Sequence, residues 1–139
     1  MGMSREILFR GKSELFGWVE GWYVPAVEWR GHQFPVSITH KRPEGWLDDT
    51  PVIPETVGQY TGLTDKNGKK VFENDIIVIC YETDGEEFTE TKRVHYNEKE
   101  CCWYPMRWEE SCEYCDHYTE VKSIEVIGNI HDNPELLED

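Results

Sequence analysis

The sequence predicts a mainly β fold with little helix, and three observations support that prediction. The run Ile76-Ile77-Val78-Ile79-Cys80 is short, continuous and β-branched, as is typical of a strand that is buried on both faces. Apolar-rich extended segments flank Asp65-Lys66-Asn67-Gly68, and Asn-Gly favours a hairpin turn because both residues tolerate positive φ. Gly17 and Gly21 interrupt the apolar segment before Val24, which disfavours a helix there.

The N-terminal part is predicted to be a series of short strands. They are residues 7–10, 17–24, 27–30 and 33–40, and the last two form a hairpin or a meander. Pro25 ends the second strand, because proline has no N–H to donate to a neighbouring strand. Residues 41–54 contain three prolines and show no periodicity. They are predicted to be a loop or linker between an N-terminal β subdomain, 1–53, and a C-terminal domain, 54–139.

The C-terminal domain is predicted to be a small twisted β-barrel or sandwich, of which an SH3-like barrel is one form. Its predicted strands are residues 59–63, 71–72, 76–80, 88–96, 101–104 and 121–130. Asp84-Gly85 is predicted to form a solvated turn. Asn133-Pro134 is predicted to open a helix of one turn, because proline suits the first helical position. Residues 106–117 are either one or two helical turns or an insertion loop.

The charge balance narrows the classes of partner. The chain has 28 acidic and 14 basic residues and a net charge of -14. Such a surface repels phosphate groups, which disfavours nucleic acids and membrane surfaces as partners. It suits high solubility, contact with a basic protein patch, or imitation of a nucleic acid. No segment has the length of an apolar membrane span, and no signal peptide or acylation motif is recognisable, so a cytoplasmic location is expected.

The aromatic residues are unusually frequent, with six tryptophans and seven tyrosines. One group of them lies close together in the sequence: Trp18, Trp22, Tyr23 and Trp29. Such rings can stack on nucleobases, but no basic groove accompanies them here. Burial in a core or in a subunit interface is therefore the favoured interpretation, and a homo-oligomer is expected.

The sequence contains no recognisable catalytic constellation, so no catalytic residue, cofactor-binding residue or cofactor is predicted. Four scattered histidines have no nucleophile motif nearby: His32, His40, His95 and His131. Two acidic clusters lack the ligand spacing of a calcium loop and are expected to be solvated turns: Asp48-Asp49, and Asp84 with Glu86 and Glu87. Neither Gly58 nor Gly62 opens a phosphate cradle, because no helix and no lysine follow at the required distance.

One group of residues has the composition of a metal site. Cys112 and Cys115 form a CxxC pair, and Cys102 and His117 are the candidate third and fourth ligands. A structural zinc site, however, usually takes ligand pairs from two separate turns, and neighbouring cysteines on a strand point to opposite faces. Because a cytoplasmic protein keeps its thiols reduced, the five cysteines are expected to be free, and no metal is assigned.

Several motifs resemble the YopX-like family of phage and prophage proteins. They are Arg5 to Gly11, Gln59 to Lys69, Val71 to Ile77 and Ile124 to Leu137, in that order along the chain. Asn74 stands where the family usually has glycine, so a positive φ is expected at Asn74. The resemblance implies a small, mostly β, phage-encoded protein. The family has no established activity, so no active-site residue is carried over.

These observations favour a non-enzymatic accessory protein of a phage or prophage, acting in the host cell by protein–protein contact or self-assembly. A host or phage protein is the expected partner besides a second copy of the chain. Two alternatives stay open. One is an acidic imitation of a nucleic acid that binds a host DNA-binding protein. The other is an enzyme whose site is assembled from residues dispersed in the sequence.

Protein purified without added metal is expected to contain no stoichiometric zinc, because the cysteines do not form two ligand pairs. Elemental analysis of the purified protein measures the zinc content directly. About one equivalent of zinc per chain that is lost in a Cys112→Ser variant would contradict this prediction.

Overall fold

The computed structural model describes residues 6–105 and 119–137. The described residues are mainly strand, with one short 3₁₀ helix, so the predicted β class is confirmed. The chain folds as two compact units, Met1–Gly62 and Leu63–Asp139. The sequence analysis placed a division between residues 53 and 54. The strand β7 passes from one unit into the other.

Unit 1 contains the first six strands and most of the seventh. They are β1 (Phe9–Ser13), β2 (Gly17–Val24), β3 (Val27–Trp29), β4 (His32–Phe34), β5 (Ser37–Lys41), β6 (Leu47–Pro51) and β7 (Ile53–Thr64). Within this unit the main sheet has the order β6-β5-β2-β1-β7, and all its pairs are antiparallel. β3 and β4 form a separate two-stranded sheet.

Close backbone approach and side-chain bonds set the register of the main sheet. A Cβ atom on Gly21 would lie 2.1 Å from the carbonyl oxygen of Thr39, so only glycine fits where β2 meets β5. The β1–β7 register shifts between Arg10 and Lys12. There the N–H of Lys12 donates to the hydroxyl of Thr56 (2.8 Å), which satisfies the backbone donor beside the irregular ladder.

Three predictions for unit 1 are corrected. The first strand is Phe9–Ser13 instead of residues 7–10. The predicted strand 33–40 is two strands, β4 and β5, separated at Pro35, which has no N–H for a continuous ladder. Residues 41–54 are not a loop, because they contain β6. β6 pairs with β5, and Asp49 of β6 accepts a hydrogen bond from Thr39 of β5. Such cross-strand bonds produce no periodic pattern in the sequence, so β6 was not predicted.

Unit 2 begins with the end of β7 and contains the remaining strands. They are β8 (Lys70–Phe72), β9 (Asp75–Thr83), β10 (Glu86–Arg93), β11 (His95–Asn97), β12 (Cys102–Tyr104) and β13 (Thr119–Asn129), followed by a 3₁₀ helix, η1 (Pro134–Leu137). A three-stranded antiparallel sheet has the order β10-β9-β13, and β11 pairs with β12. The described residues form no closed barrel. The predicted one-turn helix is η1.

The core of unit 2 lies on β9, as the β-branched run predicted. The fully buried apolar side chains of its main cluster are Val71, Ile77, Ile79 and Val94. Trp103, Val121, Ile124 and Val126 are partly buried and pack against that cluster. Ile76 is also fully buried, so β9 has inaccessible side chains on both faces of the sheet.

The turns of unit 2 lie where the sequence analysis placed them. Asn74 has a φ of 71°, which confirms the expected positive value. Asp84 and Gly85 both have positive φ and form the two-residue turn between β9 and β10. The hairpin turn predicted at Asp65-Lys66-Asn67-Gly68 is also present, because the N–H of Gly68 donates to the carbonyl of Asp65 at 2.9 Å, but only Gly68 of the Asn-Gly pair has a positive φ. The carboxylate of Asp65 also holds this turn.

Asp65 is buried and accepts three backbone hydrogen bonds. Its Oδ1 accepts from the N–H groups of Asn67 and Lys69, both at 2.9 Å, and its Oδ2 accepts from the N–H of Val126 at 2.9 Å. Burial alone raises the pKa of Asp65, but the three N–H donors and the charge of Lys69 outweigh it and hold that pKa below its ordinary value. The ionised carboxylate therefore fastens the turn to β13.

The variant Asp65→Asn is expected to lower the free energy of unfolding by about 1–3 kcal/mol at pH 7, because an amide N–H₂ would face the Val126 N–H. Since the pKa of Asp65 is lowered in the folded state, its stabilisation is complete above the ordinary value of 3.8 and is lost as the pH falls through the folded value. Urea unfolding from pH 7 to pH 2 measures both effects.

The difference between parent and Asp65→Asn should therefore shrink below about pH 4. Glu98→Gln is the matched control, because Glu98 is an exposed turn residue, and its unfolding curve should follow that of the parent. A destabilisation of Asp65→Asn that stays constant down to pH 2 would contradict the role assigned to the ionised carboxylate.

Candidate functional site

The hairpin β3–β4 presents an apolar face to solvent, which we call the hairpin surface and define as Val27, Trp29 and Phe34. Val27 is paired with Phe34, and Trp29 lies two positions after Val27, so the three side chains share one face of the two-stranded sheet. They are exposed to 49%, 58% and 50%, respectively. The face is therefore a partly exposed apolar patch that contains two aromatic rings.

The turn of this hairpin is tightly specified. Arg30 and Gly31 both have positive φ, as a two-residue turn that matches strand twist requires. The guanidinium carbon of Arg30 lies 4.5 Å from the centre of the Trp29 ring, which fixes a cation against the aromatic face. A two-stranded hairpin by itself has only marginal stability in water. Leaving its aromatic face exposed to water therefore adds no stability to the free protein. Tryptophan and arginine are the residues most enriched at the energetic centres of protein interfaces.

Unit 1 also has two neighbouring cavities that share Phe16 and Thr50. The first, of about 380 Å³, lies between the β1–β2 turn and residues 50–54 and is mainly apolar. The second, of about 420 Å³, is more polar, and the residues that shape it most are Trp18, His40, Arg42 and Asp48.

The polar groups of the second cavity are engaged with one another. His40 Nε2 lies 2.9 Å from the hydroxyl of Thr50, and Arg42 forms an ion pair with Asp48. This is a contact between an imidazole and a hydroxyl, the two group types of a general base and a nucleophile. Thr50 is buried, however, and the carboxylate of Asp48 is held by Arg42 instead of orienting the imidazole. The arrangement therefore lacks the third member of a catalytic triad.

The shifted pKa values of unit 2 have structural causes. The hydroxyl of Tyr81 donates to Glu90 at 2.7 Å across β9 and β10. That hydrogen bond, with burial and the charge of Glu90, raises the pKa of Tyr81, and the same bond lowers the pKa of Glu90 despite its burial. The hydrogen bond to Glu82 and the charge of Glu120 raise the pKa of Lys122. Tyr81 and Glu90 therefore form a pair within a strand ladder, whereas Lys122 also lines a cavity of about 310 Å³ together with Asp65.

The candidate metal ligands are divided by the limits of the described residues. Cys112, Cys115 and His117 lie outside them. Cys102 is half-buried on β12, and within residues 6–105 and 119–137 no group of three metal-ligating side chains comes together. The expectation of no zinc stays a prediction.

The four other histidines do not converge. His32 is exposed on β4, His40 contacts Thr50, His95 stacks on Tyr104 at 5.9 Å, and His131 follows β13. Asp48 and Asp49 lie on β6 instead of in a solvated turn. Asp84, Glu86 and Glu87 are exposed at the β9–β10 turn, as expected.

The aromatic group is mostly exposed and does not form a core. Trp22, Tyr23 and Trp29 are exposed to 54%, 42% and 58%, respectively, while Trp18 is half-buried with the guanidinium of Arg10 at 4.6 Å from its ring centre. Phe34 lies in the predicted strand 33–40 but was not singled out, so its exposure was missed. The cavities were missed as well, because they need β6, which was predicted to be a loop.

The two units differ sharply in charge. In the sequence, unit 1 has eight acidic and six basic residues, a net charge of -2, and unit 2 has twenty acidic and eight basic residues, a net charge of -12. Aromatic exposure is concentrated in the nearly neutral unit, and almost all of the acidic excess is in the other. Among the described residues, no helix is long and apolar enough to cross a membrane.

Comparisons with known proteins place these features in context. The family model described as YopX protein matches residues 27–138, which is most of the chain and includes the hairpin surface. A solved structure, the crystal structure of protein EF1440 from Enterococcus faecalis, is similar with a TM-score of 0.52 and 25% sequence identity, over 97% of this chain and 100% of that chain. No curated protein of assigned function matches the chain.

Proposed function

Because the chain belongs to the YopX protein family, we propose that it is a phage- or prophage-encoded accessory protein that acts by binding another protein in the host cytoplasm, and not by catalysis. The observation that carries this proposal is the hairpin surface. It combines Val27, Trp29 and Phe34 on one exposed face with Arg30 beside them. Exposed aromatic patches of this kind are typical of protein contact sites.

The chemistry of the described residues supports a binding role. Among the described residues, the imidazole of His40 contacts a buried hydroxyl without an orienting carboxylate, and the shifted pKa values of Tyr81 and Glu90 arise from a pair across two strands. The charge balance of unit 1 also fits contact with a protein, because a net charge of -2 neither attracts nor strongly repels most partners. The partner is expected to be a host or phage protein with an apolar groove or patch for the Trp29 ring.

A second function is favoured by unit 2. Its net charge of -12 suits an acidic imitation of a nucleic acid that occupies a basic site on a host DNA-binding protein. Such contacts are electrostatic and weaken steeply as salt rises, whereas an apolar contact through the hairpin surface changes little. Salt dependence therefore separates the two proposals.

The double variant Trp29→Thr/Phe34→Thr should lose the partner, because it removes two aromatic anchors and keeps residues with high β-propensity. The parent and the variant are used as bait in nuclease-treated host lysate, and captured proteins are identified by mass spectrometry. For an identified partner, loss of one aromatic anchor is expected to raise the Kd by roughly 30-fold.

The matched control is Trp46→Thr, since Trp46 is 73% exposed but lies outside the hairpin surface. It should capture the partner as the parent does, and circular dichroism should show that all three proteins are folded. If the double variant instead captures the partner as well as the parent does, and capture is lost for both at about 0.5 M salt, that result would favour imitation of a nucleic acid by unit 2. No enrichment over bare beads would contradict both functions.

A further inference from the structure

β10 is one edge of the three-stranded sheet in unit 2, and η1 contacts this strand. The opposite edge, β13, is partly covered, because the N–H of Lys66 donates to the carbonyl of Ile124 at 2.9 Å and Asp65 accepts from Val126. Within residues 6–105 and 119–137, no comparable backbone bond reaches the outer side of β10. The sheet therefore has one side where another strand can pair.

The β9–β10 register identifies the backbone groups that point outward. Thr83 and Glu86 flank the two-residue turn and are a hydrogen-bonded pair. From Glu86 onward, every second residue of β10 bonds to β9, and the residues between them direct their N–H and C=O groups away from β9. The alternation is consistent at the far end, where the N–H of Val94 donates to the carbonyl of Asp75 at 2.8 Å. The outward N–H and C=O groups are accordingly those of Glu87, Thr89, Thr91 and Arg93.

The side chains of β10 are arranged with opposite charges at its two ends. The strand reads Glu-Glu-Phe-Thr-Glu-Thr-Lys-Arg from residue 86 to residue 93, and every residue except Glu90 is exposed. Charged residues on an edge strand ordinarily oppose pairing with other chains. Here, however, antiparallel pairing of two copies brings the acidic end of each strand to the basic end of the other.

We propose that β10 pairs antiparallel with β10 of a second copy about a twofold axis at Thr89, which joins two three-stranded sheets into one of six strands. A twofold axis perpendicular to a sheet pairs a residue with itself, and Thr89 is the outward-bonding residue nearest the middle of the strand. This interface belongs to unit 2 and does not depend on the hairpin surface of unit 1.

The register that follows brings several complementary side chains together, although Phe88 lies directly opposite Glu90 and Glu87 directly opposite Thr91. Glu86 lies opposite Lys92 of the second copy, and Glu87 lies diagonally across from Arg93. Phe88 lies diagonally across from Phe88 of the second copy, and the two Thr89 side chains face each other. Opposite charges, aromatic neighbours and threonine pairs are all stabilising across antiparallel strands. Because of the twofold symmetry, each unlike pair occurs twice.

Sedimentation equilibrium from 1 to about 100 µM tests this proposal, with a dimer of 16.4 kDa chains as the expected result. Thr89→Pro should yield a monomer, because it removes an outward N–H while leaving the bonds to β9, as prolines on edge strands do. Thr89→Val keeps that N–H and should dimerise like the parent. Unfolding curves show whether each variant is folded.

Charge reversal gives a test that does not depend on proline. Lys92→Glu and Glu86→Lys each place like charges opposite one another twice, so each should dimerise roughly tenfold more weakly than the parent. An equimolar mixture of the two variants restores both Glu–Lys pairs and should form a heterodimer. No parallel or unrelated interface gives this combination of results.

A monomeric parent at about 100 µM would overturn the proposal. So would a dimer that persists in both Thr89→Pro and Lys92→Glu, because that dimer would use another surface. If that dimer were lost in Trp29→Thr/Phe34→Thr instead, self-association would belong to the hairpin surface. A dimer with the expected β10 behaviour, but with no partner captured from lysate, would support this proposal and contradict the function proposed for unit 1.

Discussion

The burial of Asp65 as an ionised carboxylate is the constraint on which much of unit 2 depends. A buried charge is tolerated only when hydrogen bonds replace its hydration, and Asp65 gains three from backbone N–H groups of two separate segments. These bonds fix the turn after β7 and its position along β13. Because β13 also supplies Val121, Ile124 and Val126 to the core, one polar side chain aligns the apolar packing around β9.

The features that local sequence controls were the ones that could be predicted. The run from Ile76 to Cys80 and the turn at Asp84-Gly85 encode their conformations in adjacent residues, and both are present. β6 could not be predicted in the same way, because it is a strand only through its pairing with β5. The turn after Asp65 was expected from Asn-Gly, but its attachment to β13 was not, because that depends on the N–H of Val126, a residue 61 positions away.

The candidate site shows the same division. The sequence singled out Trp29 as an interface candidate from aromatic frequency, but only the pairing of Val27 with Phe34 shows that the aromatic side chains share one exposed face. The two cavities are lined by residues of the β1–β2 turn and of β6, which are distant in the sequence. No single segment of the sequence could therefore predict them. The net charge of -14 follows from the composition. That most of this negative charge lies in unit 2 could be found only once the structure gave the limits of the two units.

The strand order β10-β9-β13 also has a consequence for the route by which unit 2 folds. β9 and β10 are joined by two residues, so their pairing costs little loop-closure entropy. Pairing of β9 with β13 joins Ile79 to Ile124 and must close a much longer segment of chain. We therefore expect the β9–β10 hairpin to form first, and docking of β13 to be the slower, non-local step that completes the core.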